Sequence, residues 1–229
     1  MSLYCLVHGS TQGPAGWDLL AREMEGLGHT VVRADLPVNE PEASATRYAE
    51  AIAATLHGSQ GAAIVVAHSA SGLFLPLAPE FCQVARLVFL AAVIPTIGQS
   101  FVEQFQQQPE MLCRDWVGKD PTKDPAVARD FLFHDCDPAV LPWAISTLRL
   151  MHARQAMRET CPLEKWPAVA CSYILCTDDR TLNPQWWRGA AMERLGSPAF
   201  ELPGGHAPHV SRPRELAAVL VGDSGESPH

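Results

Sequence analysis

Four short runs of nearly unbroken apolar residues punctuate the chain: Leu3–Val7, Ile64–Ala67, Leu87–Val93 and Ser172–Cys176. A strand with one wet face alternates apolar and polar residues. A strand that does not alternate is covered on both faces, which is the situation of a parallel sheet between two helix layers. Helical patterns separate the runs. Trp17, Leu19, Leu20, Met24 and Leu27 recur at helical spacing, and Gly28 stands where a helix should stop. Thr46–Leu56 is alanine-rich and is followed by Gly58, while Leu73–Leu77, Gln185–Leu195 and Pro213–Val221 read as further helices. Thr30–Arg33 and Phe200–Leu202 complete the strands. The alternation predicts an α/β fold with a mostly parallel sheet of about six strands, covered by helices on both faces.

Residues 95–166 break this rhythm. The segment has no clear strand, carries several prolines and the run Gln104–Gln108, and is rich in large apolar groups. A linker would lack so many aromatic residues. We therefore expect a helical cap over the carboxyl edge of the sheet, inserted into a core made of residues 1–94 and 167–222. The polar tail, residues 223–229, is expected to be disordered.

The segment Val65-Val66-Ala67-His68-Ser69-Ala70-Ser71-Gly72 runs from a strand into a turn and a helix. That context can lift a serine hydroxyl above a sheet, provided the residues two before and two after the serine are small. Ala67 and Ser71 are small, which favours Ser69 as nucleophile; for Ser71 the outer neighbour would be the bulky Leu73. A strand followed by an N-capping serine would give the same pattern without chemistry. Three other loops supply what such a serine needs. His8-Gly9-Ser10 ends the first strand, and the backbone N–H groups of Ser10 and Ala70 are candidate donors to an oxyanion. Cys176-Thr177-Asp178-Asp179-Arg180 ends the fifth strand, and Pro203-Gly204-Gly205-His206 follows the sixth. A serine needs a base, and the base needs a carboxylate to fix its tautomer. The order Ser69, Asp179, His206 is that of one known arrangement on a parallel sheet, and all three residues lie just past strand carboxyl ends. Adjacent residues leaving a strand point to opposite sides, so only one of Asp178 and Asp179 can face His206.

The run His134-Asp135-Cys136-Asp137 could suggest a metal, but consecutive residues diverge. Asp137-Pro138 looks instead like an N-cap followed by proline in the first helical turn. No metal and no cofactor are expected. The formal net charge is −8, which disfavours nucleic acid and anionic membrane as partners, since both attract basic surfaces. No stretch approaches the roughly 20 apolar residues of a membrane span. No secretory signal is evident, because the apolar run after Met1 stops at His8-Gly9. The seven cysteines are scattered and lack CxxC spacing, as reduced thiols in the cytoplasm would. The expected partner is a small-molecule substrate; a homodimer stays open.

Leu6-Val7-His8-Gly9-Ser10, the elbow Ala67–Gly72, Tyr173-Ile174 leading to Asp179-Arg180, and Gly205-His206-Ala207-Pro208 resemble the α/β-hydrolase superfamily. Within it the chain resembles the branch of plant methylesterases, hydroxynitrile lyases and related bacterial α/β hydrolases. Phe133–Pro138 and Cys161-Pro162-Leu163-Glu164 look like the bacterial members. The resemblance implies a catalytic triad of Ser69 as nucleophile, His206 as base and acid, and Asp179 as orienting carboxylate, with Ser10 and Ala70 as oxyanion donors. It departs from the family at Ala67 and Ser71, where glycine is usual. The expected activity is hydrolysis of a small, mainly apolar carboxylic ester. The substrate pocket would be built partly by Trp116, Phe131, Phe133, Trp143, Leu148 and Met151, about half of which would only glue the cap to the sheet. Two other activities fit the fold: a ligand receptor with little or no turnover, and a carbon–carbon lyase. The lyases typically carry threonine after the first-strand histidine and lysine after the catalytic one, where this chain has Gly9 and Ala207.

Overall fold

The computed structural model describes residues 1–223. Six strands form one sheet: β1 (Leu3–Val7), β2 (Thr30–Ala34), β3 (Ala63–Ser69), β4 (Val84–Ala92), β5 (Ala170–Cys176) and β6 (Phe200–Leu202). Their spatial order is β2-β1-β3-β4-β5-β6, and every pairing is parallel. All five residues of β1 are buried, whereas edge strand β2 buries only Ala34. This explains why β1 shows no alternation in the sequence: both of its faces are dry.

Alternate residues feed two separate cores. Leu3, Cys5, Val7, Val65, Ala67, Phe89 and Tyr173 point to one face, where they meet Tyr48 and Ile52 of α2 (Ala45–Thr55). Tyr4, Leu6, Ile64, Val66, Val88 and Ile174 point to the other, against Leu20 and Met24 of α1 (Asp18–Gly26). Ser44 caps α2 by accepting from Arg47 N, and Gly28 leaves α1 at φ +85°, a conformation that favours glycine.

Residues 95–166 add no strand to the sheet. They form α3 (Phe101–Gln107), α4 (Pro125–Val127) running into a π-helical turn, α5 (Leu141–Ser146) and α6 (Arg154–Arg158), with 3₁₀ turns between. Ser100 and Glu103 close a capping box on α3. Asp137 heads a turn rather than a helix: its carboxylate accepts from Ala139 N at 2.8 Å, and α5 starts later, at Leu141. The chain then returns to the sheet through α7 (Pro184–Leu195), α8 (Pro208–Ser211) and α9 (Pro213–Asp223). Trp187 of α7 joins the first core, and Leu216 and Leu220 of α9 join the second. The tail beyond Asp223 lies outside the described residues.

One expected helix is absent. Leu73–Leu77 falls within two 3₁₀ turns, Ala70–Leu73 and Leu75–Glu80. Pro76 and Pro79 occupy the second turn, and neither has an N–H to sustain an α-helical ladder. No helix among the described residues is long and apolar enough to cross a membrane.

Candidate active site

β3 ends in a strained turn. Ser69 has φ 57° and ψ −127°, in a region that residues with a Cβ rarely enter. Two glycines make room for it. A Cβ on Gly9 would lie 2.9 Å from Ser69 Cβ, and one on Gly72 would be driven into the Val93 carbonyl. Small residues at positions 67 and 71 mark the turn in the sequence, but its tightest points are positions 9 and 72. Ser71 is fully buried and donates its hydroxyl to His8 O. It ties the turn to the end of β1 and is not presented as a nucleophile.

The Ser69 hydroxyl is 3.0 Å from His206 Nε2, although 137 positions separate the two residues. His206 Nδ1 faces Asp179 Oδ2 at 2.7 Å, and both side chains are almost wholly buried. It is Asp179, not Asp178, that meets the ring. Asp178 turns away, its Oδ2 accepting from Gly204 N and Thr177 Oγ1, each at 3.1 Å. The other oxygen of Asp179 accepts from Thr181 N at 2.7 Å, Thr181 Oγ1 at 3.0 Å and Leu182 N at 3.1 Å. Three donors on Oδ1 fix the carboxylate plane and leave Oδ2 to the imidazole. Thr181 Oγ1 also lies 2.8 Å from His206 Nδ1. No motif in the sequence marks Thr181.

Ser10 and Ala70 adjoin this group in the chain, Ser10 beside Gly9 and Ala70 beside Ser69. The Ser10 carbonyl accepts from Met151 N at 2.7 Å and Thr11 O from Arg149 N at 3.1 Å, so residues 149–151 brace the loop after β1.

Three further histidines surround the site, and burial lowers the pKa of each. His68 Nε2 donates to His206 O at 2.8 Å, and its pKa lies well below the ordinary imidazole value. His209 packs on Trp17 with ring centroids 4.3 Å apart, donates to Gln12 Oε1 at 3.0 Å, and is pushed down to about 3. His8 donates from Nδ1 to Gly9 O at 2.9 Å, accepts from Leu36 N at 3.2 Å, and is held at about 4. These rings are neutral at physiological pH.

The residues His134–Asp137 diverge. His134 Nε2 donates to Asp178 O at 3.1 Å, while Asp135 Oδ2 accepts from Gly205 N and Ser211 Oγ, each at 3.0 Å. Among the described residues no group of three or more His, Cys, Asp or Glu side chains is placed to hold a metal ion.

The expected pocket residues divide between two clusters. Trp116, Phe133, Trp143 and Leu148 gather in a small apolar cluster with Ala207 and Val210, close in sequence to His206. Phe131 lies on Trp116, ring centroids 5.6 Å apart, and Met151 belongs to the main core. A polar cleft of about 550 Å³ opens behind Asp179, between Arg180, Gln185 and Arg212, and none of the six lines it.

The sequence matches the alpha/beta hydrolase family over residues 6–219. The chain belongs to that family. As an alpha/beta hydrolase it is 24% identical to the alpha/beta hydrolase nvfD of Aspergillus novofumigatus, over 97% of this chain and 96% of that one. A chloroplastic methylesterase-like protein of Arabidopsis thaliana is 28% identical over 69% of the chain, which spans 39% of that relative's length. The fold superposes on crystalline polyneuridine aldehyde esterase with a TM-score of 0.78 at 21% identity, covering 98% of this chain and 99% of the other.

Proposed function

We propose that this alpha/beta hydrolase is a serine esterase that cleaves a small, mainly apolar carboxylic ester through an acyl-enzyme. The observation that carries the reading is the unbroken hydrogen-bonded line Ser69–His206–Asp179, built from loops at the ends of β3, β6 and β5. His206 Nε2 takes the proton as Ser69 Oγ attacks the ester carbonyl, and Asp179 steadies the imidazolium that forms. The backbone N–H groups of Ser10 and Ala70 receive the oxyanion. The tetrahedral adduct collapses and the alcohol leaves with the proton from His206; a water deprotonated by His206 then attacks the acyl carbonyl, and His206 returns that proton to Ser69 Oγ as the acid leaves. The cluster Trp116, Phe133, Trp143 and Leu148 supports an apolar acyl or alcohol side. Methyl esters come first for testing, given the methylesterase-like relative. The lyase alternative is disfavoured at position 9, where a threonine Cβ would crowd Ser69 Cβ at 2.9 Å.

The test is turnover of a panel of p-nitrophenyl and methyl esters by the purified protein and by Ser69→Ala. The substitution should lower kcat on the order of a million-fold while the protein stays folded. Equal rates for the two proteins, or no turnover by either, would overturn the reading; the second result would favour a ligand receptor.

A further inference from the structure

We propose that the Thr181 hydroxyl is a fourth member of the hydrogen-bonded line and positions His206 for proton transfer; the proposal rests on the esterase reading above. Thr181 is 1% exposed. Its Oγ1 contacts both of its neighbours in the line, His206 Nδ1 at 2.8 Å and Asp179 Oδ1 at 3.0 Å. Carboxylate oxygens only accept, so the hydroxyl proton goes to Asp179 Oδ1 and an oxygen lone pair is left facing Nδ1. The Nδ1 proton therefore meets two acceptors, Asp179 Oδ2 at 2.7 Å and Thr181 Oγ1. Both favour the tautomer with hydrogen on Nδ1, which leaves Nε2 free to accept the proton of Ser69.

The backbone enforces the arrangement. Thr181 N and Leu182 N both donate to the oxygen that the hydroxyl also reaches. The loop after β5 thus folds around the carboxylate and carries the hydroxyl to the ring. A β-branched side chain has few χ1 choices, so the hydroxyl is held and not searching. For packing alone valine would serve as well, since it has the same shape. The hydroxyl matters only if its hydrogen bonds do.

That contrast sets the experiment. Thr181→Val and Thr181→Ala remove the hydroxyl, and Thr181→Ser keeps it. Two readouts are taken on each folded protein: kcat and KM for an ester, and the low-field proton resonance of His206 Nδ1–H in the resting protein. Loss of the hydroxyl should lower kcat about tenfold, the rate equivalent of one hydrogen bond, with KM little changed. The resonance should move in the valine and alanine variants. Thr181→Ser should restore both the rate and the resonance position. The alanine variant decides the question if the valine variant does not fold. A kcat within about twofold of the parent without the hydroxyl, an unmoved resonance, or a serine variant that behaves like valine would overturn the proposal. If Ser69→Ala shows that turnover never depended on Ser69, the esterase reading falls by itself. The resonance still decides whether Thr181 holds the ring.

Discussion

At the scale of single residues, the strained serine depends on atoms that are missing elsewhere. Gly72 faces the Val93 carbonyl and Gly9 faces Ser69, and neither can accept a side chain on the present backbone. Gly72→Ala should therefore destabilise the fold by about 1–3 kcal/mol, the usual penalty for overpacking. An unchanged urea midpoint would show that the chain just past β4 can yield at Val93. The small residues at 67 and 71 made the turn legible in the sequence. The glycine requirement at 72 was not, because it arises from contact with the end of β4, some twenty positions away, and not from local spacing. Thr181 was illegible for a related reason. A threonine two residues past an aspartate is common in loops; only the fold reveals that His206 lies across from it.

At the scale of elements, the strands and the order Ser69, Asp179, His206 could be read because buried parallel strands leave continuous apolar runs. The helix expected after Ser69 was misread although the sequence held the reason: Pro76 and Pro79 cannot take part in an α-helical ladder. The grip of residues 95–166 on the rest of the molecule could not be read at all, since its contacts join distant positions. Asp135 accepts from Gly205 N, 70 residues away, and from Ser211 Oγ, bracketing the loop that carries His206. Asp135→Ala should leave Gly205 N without its acceptor and Ser211 Oγ with only the longer bond to Ala207 O at 3.4 Å, lower stability by about 1–3 kcal/mol, and depress kcat more than it raises KM. Denaturant titration together with steady-state kinetics measures both effects; stability equal to the parent would mean that water replaces the carboxylate.

At the scale of the whole molecule, the buried histidines make stability depend on pH. Burial holds the pKa of His8 at about 4 and that of His209 at about 3, and keeps His68 well below the ordinary imidazole value of about 6.5 that the unfolded chain would show. Below about pH 6.5 the unfolded state binds protons that the folded state refuses, so stability falls as pH falls. Each such group steepens the slope by at most about 1.4 kcal/mol per pH unit. Urea unfolding between about pH 7 and pH 5 should show this loss, and His209→Phe should make the slope shallower; a flat profile would contradict the burial of these rings. The order of the strands across the sheet has a consequence for synthesis. β1 to β4 form a contiguous block of four of the six strands, so Ser69 can take its place early, while β5 and β6 add to one edge later. Long-range pairing of this kind is slow and domains gain structure as the chain emerges. A nascent chain halted before β6 would hold Ser69 without His206, so the proposed reactivity is withheld until the segment that carries His206 has left the ribosome.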